Sequence, residues 1–286
     1  MKIAIIDKKD ATIKIENKTL KIDDQNLPFR LIDTLIIASN HHIQTKDIIK
    51  ITNEDISIIL LSYNQRDASL ITSAKGKNAE LKLSQYKAID KSLTIAKFFI
   101  TKKFIYHANH LKSHKIDTDI TKLLKNVEQA KDLQTLLGIE GSFSKWYFTN
   151  FFNLFPKALH SGKRTKNPPK DPLNATLSFC YMLFYSIITI KLISYGFEPT
   201  IGYLHKPFRS HNALSSDLME TIRADINEFV YELFSKTIIK KGDFTKKDGV
   251  FLRYEGRKKL WKEIKRFIQV TEPKLELIIS EFRSLL

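Results

Sequence analysis

Apolar and polar residues alternate at the start of the chain, and later recur at helical spacing. In Ala11-Thr12-Ile13-Lys14-Ile15-Glu16 and Thr19-Leu20-Lys21-Ile22 every second side chain is apolar, the period of a strand with one buried face. Asn17-Lys18 between them predicts a hairpin turn. Further strands are predicted at 31–38, 56–61 and 68–73, with a short helix at 45–51. The polar run Ser73-Ala74-Lys75-Gly76-Lys77-Asn78 suits a linker. Beyond it the spacing turns helical, through Ile95-Ala96-Lys97-Phe98-Phe99-Ile100, Phe104-Ile105 and Leu123-Leu124. The expected fold class is α+β: a small, β-sandwich-like domain at 1–78 that serves packing and dimerisation, then a larger all-α domain at 79–286.

Residues 173–195 are apolar enough to invite a membrane-spanning reading, but they contain Asn174, Ser178, Ser186, Thr189, Lys191 and several tyrosines. The expected element is a buried core helix with Asp171 as N-cap, Pro172 in the first helical position and Gly196 at its end. Cys180 is the single cysteine and lies within this apolar run, which predicts a packed thiol in a reducing cytosol rather than a nucleophile or zinc ligand.

Charge narrows the function classes. The 286 residues carry 47 Lys plus Arg against 31 Asp plus Glu, a formal charge of +16. Such a surface attracts polyanions. No polybasic cluster flanks a hydrophobic span, so nucleic acid is the expected partner and a membrane is not. A hydrophobic content of 43% is ample for a core, so the charge does not signal disorder.

The candidate chemistry lies in the second part of the chain. Gly202-Tyr203-Leu204-His205 is followed by Asp217 and Glu220, three residues apart and so on one face of a helix. Two carboxylates and an imidazole suit a divalent cation, with Mn²⁺ favoured by the imidazole and Mg²⁺ not excluded. The competing reading of Asp217 and Glu220 is a capping box at a helix start. Upstream, Glu140 stands between two glycines in Gly138-Ile139-Glu140-Gly141, and glycine permits close approach of a backbone to a ligand. His107, His110 and His114 recur at helical spacing, which invites comparison with a metal-binding helix, but Lys102, Lys103, Lys112 and Lys115 surround them and no carboxylate lies close in sequence, which predicts a solvated basic face.

The segments around Glu140, Arg164-Thr165-Lys166-Asn167-Pro168-Pro169, Tyr195-Gly196-Phe197-Glu198-Pro199 and Gly202-Tyr203-Leu204-His205, in this order and with Asp217 and Glu220 behind them, resemble the CRISPR-associated Cas-one family, the integrase and endonuclease of spacer acquisition. The resemblance implies a catalytic C-terminal domain in which Glu140, His205 and Glu220 hold Mg²⁺ or Mn²⁺ and Asp217 is a further acidic residue needed for activity. It also implies 3′-hydroxyl attack on a phosphodiester of double-stranded DNA. The implied assembly is a homodimer, joined into a dimer of dimers by a small Cas-two protein. Lys145 departs from the Arg found in many relatives, which keeps the charge and weakens bidentate phosphate contact.

Lys163, Arg164 and Lys166 precede two prolines on a loop placed to grip a phosphate backbone. Lys206 and Arg209 follow His205, and Arg223 lies one turn beyond Glu220, where it either orients that carboxylate or meets DNA. Two alternatives stay open: a DNA-binding scaffold without chemistry, and a transposon-encoded integrase of the same family.

Overall fold

Two apolar runs, Leu35-Ile36-Ile37 and Ile58-Ile59-Leu60-Leu61, set the layering, because alternate side chains enter two different cores. The protein, a computed structural model, is described over residues 1–62, 67–206 and 211–286. Its N-terminal part contains β1 (Ile3–Ile6), β2 (Ile13–Glu16), β3 (Thr19–Ile22), β4 (Gln25–Pro28), β5 (Thr34–Ile37), α1 (Thr45–Asn53), β6 (Ser57–Leu61) and β7 (Ala68–Ile71). One sheet has the order β1-β5-β6-β7, parallel except for β7, and the other is the antiparallel β2-β3-β4. Leu35, Ile37 and Ile58 join Ile15 and Leu20 between the sheets, whereas Ile36, Ile59 and Leu61 belong to the helical core. A sheet covered on both faces reads as continuous apolar sequence, as these runs do.

The hairpin at Asn17-Lys18 is present, with both residues at positive φ (47° and 55°), the geometry whose twist matches the flanking strands. The strand expected from residue 31 begins at Thr34, because Phe29–Leu31 forms a short 3-10 turn that buries Phe29. Strands β1 and β4 escaped prediction; at four residues each they show too few alternations to stand out.

The remainder contains α2 (Ala79–Lys87), α3 (Ser92–Ser113), α4 (Thr121–Gln129), α5 (Leu133–Phe152), α6 (Pro172–Ser194), α7 (Ala213–Ser235), β8 (Phe244–Lys246), β9 (Val250–Leu252) and α8 (Tyr254–Arg283). The all-α expectation is therefore corrected by the β8-β9 hairpin, which packs against α6 and is tied to the preceding loop by Val250 N–H donating to the Pro169 carbonyl at 2.9 Å. Helix α6 starts as its sequence predicts: the Asp171 carboxylate accepts the Asn174 amide at 2.8 Å and Pro172 occupies the first turn. Gly196, at φ 87°, turns the chain away after it. This helix is long and apolar enough to cross a membrane, but 78% of its apolar window is buried inside the protein. Its central place in the core accounts for the hydrophobicity.

The β-rich and helical parts are clasped by a buried charge pair. Asp7, just after β1, accepts two hydrogen bonds of 2.9 Å from Arg257 of α8 and a third of 2.7 Å from the Trp261 indole. Both charged residues are 8% exposed. Removing one partner leaves a buried, uncompensated charge, which costs about 3–5 kcal/mol. Asp7→Ala is expected to lower the unfolding free energy by about 3 kcal/mol in urea denaturation; a loss below about 1 kcal/mol, the range of exposed pairs, would show that the clasp contributes little.

Candidate active site

Helices α3, α5 and α7 bring the two key glutamates to one cation. Lys103 of α3 has a side chain only 2% exposed, and its ammonium contacts Glu140 Oε1 of α5 and, at 2.7 Å, Glu220 Oε2 of α7. Ser144, one turn beyond Glu140, donates to Glu140 Oε1 at 2.6 Å. Arg223 pairs with Glu220 Oε1 at 2.8 Å and lies over the Tyr181 ring at 4.9 Å. Burial alone would favour the protonated Glu220, but the charges of Arg223 and Lys103 outweigh it and hold the carboxyl far below the usual carboxylate range.

The glycines that flank Glu140 in sequence are exposed on α5. Gly138 and Gly141 sit inside α5 with no heavy atom near the position of an added Cβ. Glycine within a helix costs about 1 kcal/mol relative to alanine, so the local packing does not explain them. They form an exposed strip of helix on a face turned away from the Glu140 side chain.

His205 is positioned by Asp217. This fully buried carboxylate accepts the backbone amides of Tyr203 at 2.6 Å, Leu204 at 3.0 Å and His205 at 2.9 Å. Its Oδ1 also meets His205 Nδ1 at 2.7 Å. Gly202 is required for this approach, since a Cβ there would fall 2.5 Å from the Ala213 Cβ. Burial works against a charged His205, but the hydrogen bond and charge of Asp217, helped by Glu220, raise its pKa above the ordinary value. A carboxylate holding Nδ1 leaves Nε2 as the ring's outward donor, the arrangement common to metal-binding histidines.

The donor set fits a divalent ion: one positive centre already contacts both glutamates, and a tethered imidazole lies within electrostatic reach of Glu220. The ligand atoms of Glu140, His205 and Glu220 are not drawn together within 4.8 Å as those of His110, His114 and Glu228 are.

Three sequence readings need correction. Asp217 and Glu220 do not form a capping box, because α7 begins at Ala213 and both residues lie inside the helix. The α3 histidines do not make a solvated face: His107 is 1% exposed with Nδ1 at 2.8 Å from the Lys103 carbonyl, His110 is 7% exposed, and Lys103 is buried with them. Arg164 turns from its loop toward α6, to Asn174 at 3.1 Å and Ser178 at 3.0 Å, rather than standing free in solvent. Arg223 is likewise engaged with Glu220. Lys163, Lys166 and Lys206 are exposed, as is Lys145, and Arg209 lies outside the described residues. Burial beside Arg223 and Arg164 lowers the Lys166 pKa, while Glu220 and Glu140 act in the opposite sense, so this ammonium is within electrostatic range of the glutamates. Lys103 was missed as a site residue; its signal was a helical phase shared with Phe99, His107 and Leu111, all buried.

Comparison with known proteins gives this arrangement a family. The profile of CRISPR associated protein Cas1 matches residues 2–266. The chain belongs to the Cas1 family. It is 30% identical over 292 residues to a CRISPR-associated endonuclease Cas1 of Thermodesulfovibrio yellowstonii, covering 94% of this chain and 92% of the relative. A CAS1 protein from Thermotoga maritima shares the fold with a TM-score of 0.86 at 20% identity, over 99% of this chain and 93% of that one. A casposase bound to integration product has a TM-score of 0.83 at 22% identity, over 94% and 83% of the two chains. A Cas6-RT-Cas1–Cas2 complex aligns with a TM-score of 0.76 at 21% identity, over 99% of this chain and 35% of that one. The α+β architecture is thus that of Cas1 structures, with a strand-rich start and a mainly helical remainder.

In this Cas1-family chain the Asp217 carboxylate is the single acceptor for three consecutive amides. Each buried donor left unsatisfied costs about 1–3 kcal/mol. Asp217→Ala is expected to speed amide exchange at Tyr203, Leu204 and His205 by about tenfold or more, the equivalent of 1.4 kcal/mol, with exchange in β2 and β3 unchanged. Equal protection of these three amides in variant and parent would contradict the assignment.

Proposed function

We propose that this chain is a divalent-metal-dependent DNA endonuclease and integrase of CRISPR adaptation. It joins a terminal 3′-hydroxyl of spacer DNA to a phosphodiester of the repeat array, and water in place of that hydroxyl gives cleavage. The observation that carries this reading is the convergence of Glu140 and Glu220 on one cationic centre, beside an imidazole locked by Asp217. The relative named as a Cas1 endonuclease and the fold shared with a casposase bound to integration product support it.

Glu140, His205 and Glu220 are the proposed ligands of Mn²⁺ or Mg²⁺. When bound, the ion supplies activation of the attacking oxygen and stabilisation of charge on the pentacoordinate phosphate. Asp217 fixes the His205 tautomer and holds the Gly202-Tyr203-Leu204-His205 segment against α7. Arg223 orients Glu220, and Lys103 offsets the repulsion between Glu140 and the buried Glu220. Lys163, Lys166, Lys206 and Lys145 grip the phosphate backbone, within a general attraction set by the +16 charge. Joining needs no ATP, since one phosphodiester replaces another.

The proposed assembly is a homodimer through the β-rich part, bridged by a small Cas2 protein into a dimer of dimers; the similar fold within a Cas1–Cas2 complex supports that partner. The casposase likeness favours one second reading, a transposon-encoded integrase with the same site. Flanking terminal inverted repeats rather than a repeat array would select it. The capping role that the scaffold alternative gave Asp217 and Glu220 is absent, since both lie inside α7.

A strand-transfer assay with 3′-hydroxyl duplex and supercoiled target, in Mn²⁺, Mg²⁺ or EDTA, tests the reading. Metal-dependent joining or cleavage is expected to fall by about 10³-fold in Glu220→Gln and His205→Ala, several kcal/mol of charge stabilisation at tenfold per 1.4 kcal/mol. Unchanged joining and cleavage in both variants would overturn the mechanism.

A further inference from the structure

A second cluster of ligand-type side chains lies on the same pair of helices, apart from the four residues assigned to the chemistry. His110 and His114 stand one turn apart on α3, and both present Nε2 to the same oxygen, Oε2 of Glu228 on α7, at 3.0 Å and 2.6 Å. These three atoms all lie within 4.8 Å of one another. The His110 side chain is 4% exposed, and its Nε2 has no hydrogen-bond partner despite the short approach to Glu228, so it is aimed into the cluster without being satisfied there.

We propose that His110, His114 and Glu228 form a separate zinc-class metal site that pins α3 to α7. Two imidazoles and one carboxylate favour Zn²⁺ or Co²⁺ over Mg²⁺, which prefers oxygen ligands throughout. Ligands about 2.0–2.1 Å from a tetrahedral zinc are separated by about 3.3 Å. The present gaps of 2.6 Å and 3.0 Å to Glu228 therefore need to widen by about 0.7 Å and 0.3 Å. The His114 and Glu228 side chains are 14% and 39% exposed, which gives an ion a path in and leaves the fourth position to water.

The surroundings supply the outer support such a site needs. His110 Nδ1 lies 3.0 Å from the hydroxyl of the fully buried Tyr147, which accepts Asn227 Nδ2 at 2.9 Å. The phenol oxygen has a second lone pair for His110 Nδ1–H, the tautomer that frees Nε2 for a metal. Asn227 in turn accepts the Tyr181 hydroxyl, and the Tyr181 ring carries the Arg223 guanidinium that pairs with Glu220. An ion at His110, His114 and Glu228 thus fastens the same α3–α7 interface that presents Lys103 and Glu220.

Co²⁺ titration of the full chain tests this independently of activity. The expected result is visible tetrahedral Co²⁺ absorption that Zn²⁺ abolishes. It persists in Glu220→Ala and is lost in both His114→Ala and Glu228→Gln, with Zn²⁺ raising the melting temperature of Glu220→Ala but not once either cluster substitution is combined with Glu220→Ala. Absence of the absorption from the parent protein, its retention in either cluster variant, or its loss in Glu220→Ala would each overturn the proposal. The strand-transfer result bears on none of these outcomes.

Discussion

Two glutamates, Glu220 buried and Glu140 partly exposed, can meet here because a lysine lies between them. Glu140 and Glu220 arrive from different helices, and like charges brought together in a low-dielectric interior would drive one of them to protonate. Lys103, reaching in from a third helix, removes that penalty and itself escapes the cost of an unpaired buried ammonium. The convergence of α3, α5 and α7 depends on this exchange. Helix α6 backs it with apolar bulk, and the double-faced sheet buttresses the helices from the other side. Arg223 completes the charge balance and is stacked on Tyr181, so Glu220 is held ionised in a fixed direction.

A separate constraint prepares the imidazole. One carboxylate, Asp217, takes up three successive backbone amides and the inner nitrogen of His205, and it can do so only where Gly202 lets the chain pass close to Ala213. The carboxylate and the glycine are therefore two halves of one device. It gives the ring a defined tautomer before any ligand arrives. Preorganised donors of this kind act without reorganising at the moment of reaction.

The parts legible in the sequence are those governed by local rules or by a short motif. The hairpin at Asn17-Lys18 follows from strand period and turn chemistry, and α6 follows from its Asp-Pro start and glycine end. Glu140, His205, Asp217 and Glu220 were picked out by motif order, and the structure converges Glu140 with Glu220 and His205 with Asp217. What was not legible depends on long-range packing. Helix α3 carries apolar and basic residues around its whole circumference, so the phase that Lys103 and His107 share with Phe99 and Leu111 was the one sign that they face inward. The start of α7 is set by burial of Ala213 and Leu214 against the loop, with Leu214 N–H donating to the Pro199 carbonyl at 2.9 Å. That contact is invisible in a window that reads Asp217 as a cap. Arg164 was assigned to DNA by its charge, but Asn174 and Ser178, on successive turns of α6, draw it inward.

Under the proposed function, the space Lys103 now fills between Glu140 and Glu220 belongs to a metal site. Anomalous diffraction at the manganese edge, from crystals of the full chain grown with Mn²⁺, addresses it directly. A peak within coordination distance of Glu140, Glu220 and His205 Nε2, with the Lys103 ammonium moved off the carboxylates, is the predicted result. A Lys103 still bridging both glutamates, with no manganese beside them, would contradict it.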